Sequence, residues 1–273
     1  MNSVDLQAAL QAGNRVYGTC IVSTSPAWPS MIAGLGLDFV FIDTEHIPIG
    51  RETLAWMCRA YDALGLAPIV RVPAPDPYLA CMALDAGAAG VVFPYVETVE
   101  QVQALRGAVK CRTLKGERLQ RYLAGEETLE PALAEDLAKR ARGKLLIVNI
   151  ESQAALDRLD DILAVPDLDA LLIGPHDLSI NLGVPSLWDH SRFLDAIATI
   201  IQKARAAGVG VGVHYSAGIE AEIRWAREGA NLIVHSSDLA LVDQTLRSDL
   251  AYFRAELGDV SRISADSADT TTI

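Results

Sequence analysis

The sequence predicts a single-domain α/β fold, a (β/α)8 TIM barrel, and three observations carry that expectation. Eight short, β-branched apolar runs recur along a chain of 273 residues. Helical patterns separate most of them. The runs are also near-continuously apolar rather than alternating, as in strands of a parallel sheet covered on both faces. A barrel of this kind takes roughly 250 residues. A doubly wound open sheet fits less well, because the chain lacks its glycine-rich phosphate fingerprint.

The elements follow in order. Residues 1–18 begin as an amphipathic helix containing Asp5 and lack the apolar run of a signal peptide. Strands are expected over 17–22 (YGTCIV), 38–43 (DFVFID), 68–72 (PIVRV) and 90–94 (GVVFP). They continue over 144–150 (KLLIVNI), 170–174 (ALLIG), 208–213 (GVGVGV) and 231–234 (NLIV). Helices are expected over 51–64, 78–86, 98–109, 154–163, 191–207 and 219–228. The one long gap, from Gly90 to Lys144, holds KCRTLKGER at 110–118 and a charged helix over about 131–142. It reads as an enlarged loop plus helix after strand 4, not as a second domain. Gly208, Gly210 and Gly212 alternate within a strand and predict close backbone packing rather than a dinucleotide loop. One barrel domain is thus expected over 1–261, with a small polar tail over 262–273 expected to be disordered.

Composition limits the function. The chain is 51% hydrophobic and 21% charged, enough to bury a sizeable core, and its formal net charge is −12. Such an acidic surface argues against nucleic acid or an anionic membrane as partner. It leaves room for an anionic small molecule, because a few local cations or a metal can invert the field in a cleft. Cys20, Cys58, Cys81 and Cys111 form no C-x-x-C pair and read as reduced thiols of a cytoplasmic protein. No apolar stretch approaches the ~20 residues needed to span a bilayer.

In barrel enzymes the chemistry lies at the C-terminal ends of the strands. There the second strand runs into Asp43-Thr-Glu-His46, the third carries Arg71, and the fifth ends Asn149-Ile-Glu151. The sixth runs into Gly174-Pro-His-Asp177, the seventh ends at His214 and the eighth at His235, so four of the five histidines fall at strand ends. Glu151 and Asp177 end neighbouring strands and can point at one spot, a pairing that suits a hard divalent ion, Mg2+, Mn2+ or Co2+. The same pair could instead cap helices or bridge to Arg71. His46 follows Asp43 closely enough for the carboxylate to orient the imidazole as a base, or it could cap the next helix. Arg71, flanked by Val70 and Val72, needs an anionic partner: a substrate carboxylate or Glu151. No lysine falls at the C-terminal end of a strand, so Schiff-base chemistry is not expected.

Several segments together resemble the HpcH/HpaI-type class II pyruvate aldolases. They are GLGLDFVFIDTEH at 34–46, PIVR at 68–71 with Asp76-Pro77, LDAGAAGVVFP at 84–94, IES at 150–152 and IGPHDLS at 173–179 with Leu182-Gly183. The similarity runs in order from about residue 5 to residue 255. The resemblance implies a metal-dependent carbon–carbon lyase that adds pyruvate or a related 2-oxo acid to an aldehyde, reversibly, through a metal-stabilised enolate. Carried over residue by residue, it implies Glu151 and Asp177 as metal ligands and His46, oriented by Asp43, as the base. Arg71 would steady the oxo acid, and main-chain groups around Pro175, His176 and Asp177 would hold its carboxylate. The expected partners are small molecules and further copies of the chain. The resemblance implies a homohexamer whose C-terminal helix, about 239–257, crosses to a neighbour.

The chain also departs from the family pattern. Thr19-Cys20 stands where an aromatic is common, Thr44 for a glycine before E-H, Asn149 for a glutamine, and His176 for a small residue. The P-x-G-x-R-G loop survives only as LKGER at 114–118. These changes spare the metal and base positions and remodel the pocket wall, leaving the aldehyde open. A citrate-synthase-like condensation or an oxaloacetate-type decarboxylation would use the same residues. A non-catalytic oxo-acid binder would have no use for His46.

Overall fold

The computed structural model describes residues 1–214 and 218–259. The expected disordered tail lies outside the described residues. The chain opens with α1 (Ser3–Gln11), β1 (Val16–Ile21), α2 (Trp28–Ile32), β2 (Phe39–Asp43), α3 (Arg51–Ala63) and β3 (Ala67–Arg71). It continues through α4 (Pro77–Ala86), β4 (Gly90–Phe93), α5 (Val99–Lys110), α6 (Gly116–Leu123), α7 (Pro131–Ala141) and β5 (Leu145–Ile150). Then come α8 (Gln153–Asp157), α9 (Leu159–Leu163), β6 (Ala170–Ile173), α10 (Pro175–Asn181) and α11 (Ser191–Ala206). β7 (Gly210–Val213), α12 (Ile219–Glu228), β8 (Leu232–Ser237) and α13 (Asp238–Leu257) complete it.

All eight strands pair in parallel in the order β7-β6-β5-β4-β3-β2-β1-β8. A bridge between His214 and Val234 joins the two remaining edges, so the sheet closes as the expected barrel. Because side chains alternate across a strand, each run feeds two cores at once. Phe39, Phe41, Ala67, Ile69, Leu145, Ile147 and Leu172 fill the barrel. Val40, Ile42, Val70, Leu146, Val148 and Ile173 pack outward against the helices. That double burial is why the strands read as unbroken apolar runs.

Gly212 is required at the β7–β8 closure, where a Cβ would overlap the main-chain carbonyl of Leu232. Leu6 and Leu10 of α1 join the inner core, and the Asn231 amide holds the Leu10 carbonyl, so α1 plugs the N-terminal end of the barrel. The opposite rim remains for chemistry.

The helices differ from expectation at four places, one being α2, which no expected helix covers. The enlarged loop after β4 contains an extra helix, α6, besides α7. The helix expected over 154–163 is broken into α8 and α9 at Arg158, whose φ of −109° leaves the helical region. The segment after β6, for which no helix is expected, is helix α10 with Pro175 in its first turn.

Candidate active site

The inward side of each strand sets which groups reach the mouth. Asp43 continues the inward series of Phe39 and Phe41, Arg71 that of Ala67 and Ile69, and Asn149 that of Leu145 and Ile147. The β2–β3 register places Asp43 directly beside Arg71. Arg71 donates from Nε to Asp43 Oδ1 at 2.9 Å and from Nη2 to Oδ2 at 2.5 Å, a two-pronged buried pair. Its Nε also lies 3.2 Å from Glu45 Oε2, and its guanidinium stands 5.6 Å from the Phe41 ring centre. Burial opposes ionisation of Asp43, yet the hydrogen bonds and charge of Arg71 outweigh it and hold the carboxyl below its ordinary value.

These contacts correct two expectations. The buried anions that balance Arg71 are Asp43 and Glu45, not Glu151. Asp43 spends its oxygens on Arg71 and on the Glu45 N–H, 2.9 Å away, and so does not orient His46 directly. The carboxylate beside the imidazole is Glu45, whose Oε2 lies 3.7 Å from His46 Nε2. His46 itself is 45% exposed on the rim. Glu45 thus faces both the imidazole and the guanidinium. It stands in the Asp43-Thr-Glu-His46 motif, and the signal that could have singled it out is its two-residue spacing from Asp43.

On the far side of the mouth Glu151 is buried, at 5% exposure. Its Oε1 accepts the Tyr95 N–H at 2.6 Å and its Oε2 accepts the Asn149 side-chain amide at 3.0 Å. Gly174 leaves the space into which the carboxylate folds, since a Cβ there would stand 2.5 Å from Glu151 Oε2. Burial pushes the Glu151 carboxyl up to about 7; the two hydrogen bonds pull the other way, and the negative charges of Asp177 and Glu45 add to the rise. Asp177 is exposed on the first turn of α10, close enough to be felt by Glu151. Glu151 and Asp177 therefore share one side of the rim. Among the described residues no group of three or more His, Cys, Asp or Glu side chains gathers as a ready-made metal cage.

The remaining histidines divide. His214 is buried against Phe41, with ring centres 5.2 Å apart, and burial followed by the charge of Arg71 pushes its pKa down to about 3. His176 meets Trp188 edge-on at 4.9 Å, and Trp188 in turn meets Phe193 at 5.4 Å. His235 is not a mouth residue: Leu232 and Val234 point inward, so His235 faces outward and pairs with Glu222 of α12 at 2.8 Å. Sequence reasoning gave no role to Tyr95, which carries no motif and has a left-handed backbone with φ of 56°.

A parallel barrel with an acid–arginine cluster and a buried carboxylate on one rim defines a class: barrel enzymes that work on small polar substrates at the strand ends. The sequence narrows it. Residues 17–244 match the pattern of the HpcH/HpaI aldolase/citrate lyase family, and the chain belongs to that family. It is 34% identical over 197 residues to the 2-dehydro-3,6-dideoxy-6-sulfogluconate aldolase of Pseudomonas putida, covering 72% of this chain and 76% of that one. It is 33% identical to a hydroxypyruvate/pyruvate aldolase of Rhizorhabdus wittichii, covering 82% and 88%. Among solved structures, a HpcH/HpaI aldolase/citrate lyase family protein from Burkholderia cenocepacia J2315 superposes with a TM-score of 0.77 at 30% identity, covering 92% of this chain and 99% of the other. The chain is a class II-type aldolase, a carbon–carbon lyase. No helix among the described residues is long and apolar enough to cross a membrane.

Proposed function

We propose that the rim binds pyruvate or a related short 2-oxo acid together with a divalent cation (Mg2+ or Mn2+) held by Glu151 and Asp177. The observation that supports this reading is the charge arrangement. Four carboxylates, Asp43, Glu45, Glu151 and Asp177, share the mouth with one guanidinium that is already paired. A 2-oxo acid is an anion and needs a positive charge that Arg71 alone does not supply. Two oxygen-donor side chains, one of them buried in a space that Gly174 keeps clear, suit a hard cation that fills its other positions with water and substrate. When bound, such a cation supplies Lewis-acid polarisation of the C2 carbonyl.

The residues of the chain then divide the work. In the cleavage direction His46 takes the proton from the C4 hydroxyl of a 4-hydroxy-2-oxo acid. The C3–C4 bond breaks, its electron pair passes toward the C2 oxygen as the enolate, and the aldehyde leaves. A proton is then delivered to C3, giving the 2-oxo acid. Arg71 spends its Nε–H and one Nη2 N–H on Asp43, which leaves its other N–H groups to meet an enolate oxygen. The main-chain N–H groups of His176 and Asp177 would hold the substrate carboxylate, while Pro175 has no N–H to donate and only shapes the turn. His46 is exposed enough to reach the substrate, and its Nε2 stands 3.7 Å from Glu45 Oε2.

Deuteration of the pyruvate methyl group in D2O, followed by NMR, tests the reading. Exchange should require Mg2+ or Mn2+, stop with EDTA and be lost in His46→Ala. Exchange that ignores EDTA would remove the cation, and none with any short oxo acid would remove the donor.

The assembly belongs to the same proposal. Only Asp238 of α13 is buried, and the helix exposes Leu239, Val242, Leu246, Leu250, Phe253 and Leu257. Outside β1 and β8 a cavity of about 490 Å3 is lined by Tyr17, Leu37, Ile219, Ile223 and Ile233. A second copy's α13 is the apolar partner that this groove fits, which supports the homohexamer implied by the resemblance. Light scattering should find an oligomer that falls apart in Leu246→Glu/Leu250→Glu; a monomeric wild type would refute it.

A further inference from the structure

Asp238, the first residue of α13, is buried and spends its carboxylate on main-chain N–H groups. Its Oδ1 accepts the Val22 N–H at 2.9 Å and the Leu239 N–H at 2.8 Å, and its Oδ2 accepts the Ser23 N–H at 3.0 Å. Val22 and Ser23 are the first residues beyond β1, so the root of α13 holds the chain as it leaves that strand. A bulge sets this meeting up. Gly18 stands opposite Val234 but Cys20 opposite Ser237, so β8 carries one extra residue over the same span. Ser236 within it has a φ of 52°, a left-handed conformation that its surroundings must hold. The shift brings Asp238 level with the end of β1. From Ser23 the hold passes along the loop: Ser23 Oγ accepts the Ser25 N–H at 3.2 Å, and the Ser25 carbonyl accepts the Trp28 N–H at 3.0 Å, where α2 begins. Residues 24–27 between these anchors are exposed.

We propose that Asp238 is a positioning residue for the aldehyde half of the reaction: by clamping Val22 and Ser23 it shapes the 22–27 loop as the wall that the aldehyde meets. This rests on the reading of Glu151 and Asp177 as the cation site and His46 as the base. Those residues fix how a substrate lies across the mouth. The cation site belongs to β5 and β6, while His46 follows β2 on the other side of the barrel. A 4-hydroxy-2-oxo acid with its oxo acid end at the cation and its C4 hydroxyl at His46 therefore carries the rest of its chain toward β2 and beyond. β1 is the strand paired with β2 on that side, and the loop leaving it stands on the same rim. The loop offers hydroxyl groups at Ser23, Thr24 and Ser25, which suit a polar aldehyde. Main-chain bonds to a buried carboxylate are strong and directional, so one acid fixes the loop without touching the substrate.

Asp238→Asn keeps the shape of the side chain but turns one acceptor into a donor, so Val22 or Ser23 loses its partner. Aldol addition to pyruvate, run with whichever of glycolaldehyde, glyceraldehyde and propanal the wild type turns over fastest, should show an aldehyde KM raised about tenfold, the size of one lost hydrogen bond to a charged group. Pyruvate methyl exchange, which needs no aldehyde, should stay within about twofold. Hydrogen exchange at the Val22 and Ser23 amides should quicken at least about tenfold, and light scattering should return the wild-type oligomeric state. Ser23→Ala breaks the next link without touching α13 and should raise the aldehyde KM about threefold, again with methyl exchange kept. A purely structural role would lower methyl exchange and aldehyde use in step, and that result would overturn the assignment. So would a wild-type aldehyde KM in both variants, or dissociation of the oligomer in Asp238→Asn with the KM unchanged. If the wild type exchanges no methyl protons, the donor reading fails, while amide exchange at Val22 and Ser23 still reports on the clamp.

Discussion

Lowering the pH should release the cation from this site far earlier than an ordinary carboxylate would allow. Glu151 is a buried carboxyl raised by burial from its ordinary 4.5 to about 7, and a cation must displace its proton. With one proton displaced, apparent affinity should be nearly flat above pH ~8 and fall about tenfold per pH unit below ~7. A carboxyl of ordinary pKa would leave it flat to pH ~5. Mn2+ titrations followed by EPR in non-chelating buffers from pH 5.5 to 8.5 would measure the slope. A flat profile down to pH 5.5 would refute the reasoning, because it would mean that Glu151 ionises as an exposed acid does.

The stability of the cation-free protein should move with the opposite dependence on pH. Between about 4.5 and 7 the folded state holds the Glu151 proton more tightly than the unfolded chain does. Stability from this group is therefore present below pH ~4.5 and lost as pH rises through ~7, by up to about 3 kcal/mol for a fully buried group. Glu151→Gln should remove that slope, and added Mn2+, by displacing the proton from the folded state, should flatten it between pH ~4.5 and ~7.

Three further outcomes follow from single contacts. Gly174→Ala puts a Cβ 2.5 Å from Glu151 Oε2, and the side chain can swing away more easily than the backbone can move; Mn2+ affinity should fall at least about tenfold with thermal unfolding nearly unchanged, one carboxylate ligand being worth ~1.5 kcal/mol or more. Loss of the fold instead would show that the strand end, not the carboxylate, yields. Arg71→Ala strands Asp43 as a buried unpaired acid and should cost ~3–5 kcal/mol in urea unfolding; a loss below ~1 kcal/mol would mean that water replaces the guanidinium. His214, held down to about 3 by burial and Arg71, should show no imidazole titration by NMR between pH 5 and 8; a midpoint near 6 would show that its surroundings open.

The barrel was legible because each strand is buried on both faces and so writes itself as an apolar run, and the closing strands fell within a few residues of expectation. Helices that bury little wrote less. α6 has no buried residue, so no inward stripe marked it, and α13 exposes most of its apolar side chains. Within the site, residue types at strand ends were visible, but pairing was not. That Arg71 meets Asp43 depends on the β2–β3 register, which no local pattern states. The side of His235 could have been read, since it lies one residue from the inward Val234, and alternation alone turns it outward. The left-handed backbone of Tyr95 had no signal, for neither glycine nor asparagine stands there.

Charge in the mouth also bears on how a substrate is admitted. The surface of a chain with net charge −12 gives an oxo acid no general attraction. Arg71 does not change this at close range, because Asp43 and Glu45 already balance its charge from 2.5 and 3.2 Å. The raised pKa of Glu151 adds to the same condition: burial, and then the negative charges of Asp177 and Glu45, push the carboxyl up to about 7. On the proposed reading, exchanging that proton for a divalent cation is what turns the rim attractive to an anion. Glu151 and Asp177 would then have to be occupied before the oxo acid is held, while Arg71, fixed by its acids, contributes direction more than charge. A guanidinium locked by two carboxylates is a poor lure and a good template, since its remaining N–H groups keep their orientation as negative charge builds on the enolate oxygen.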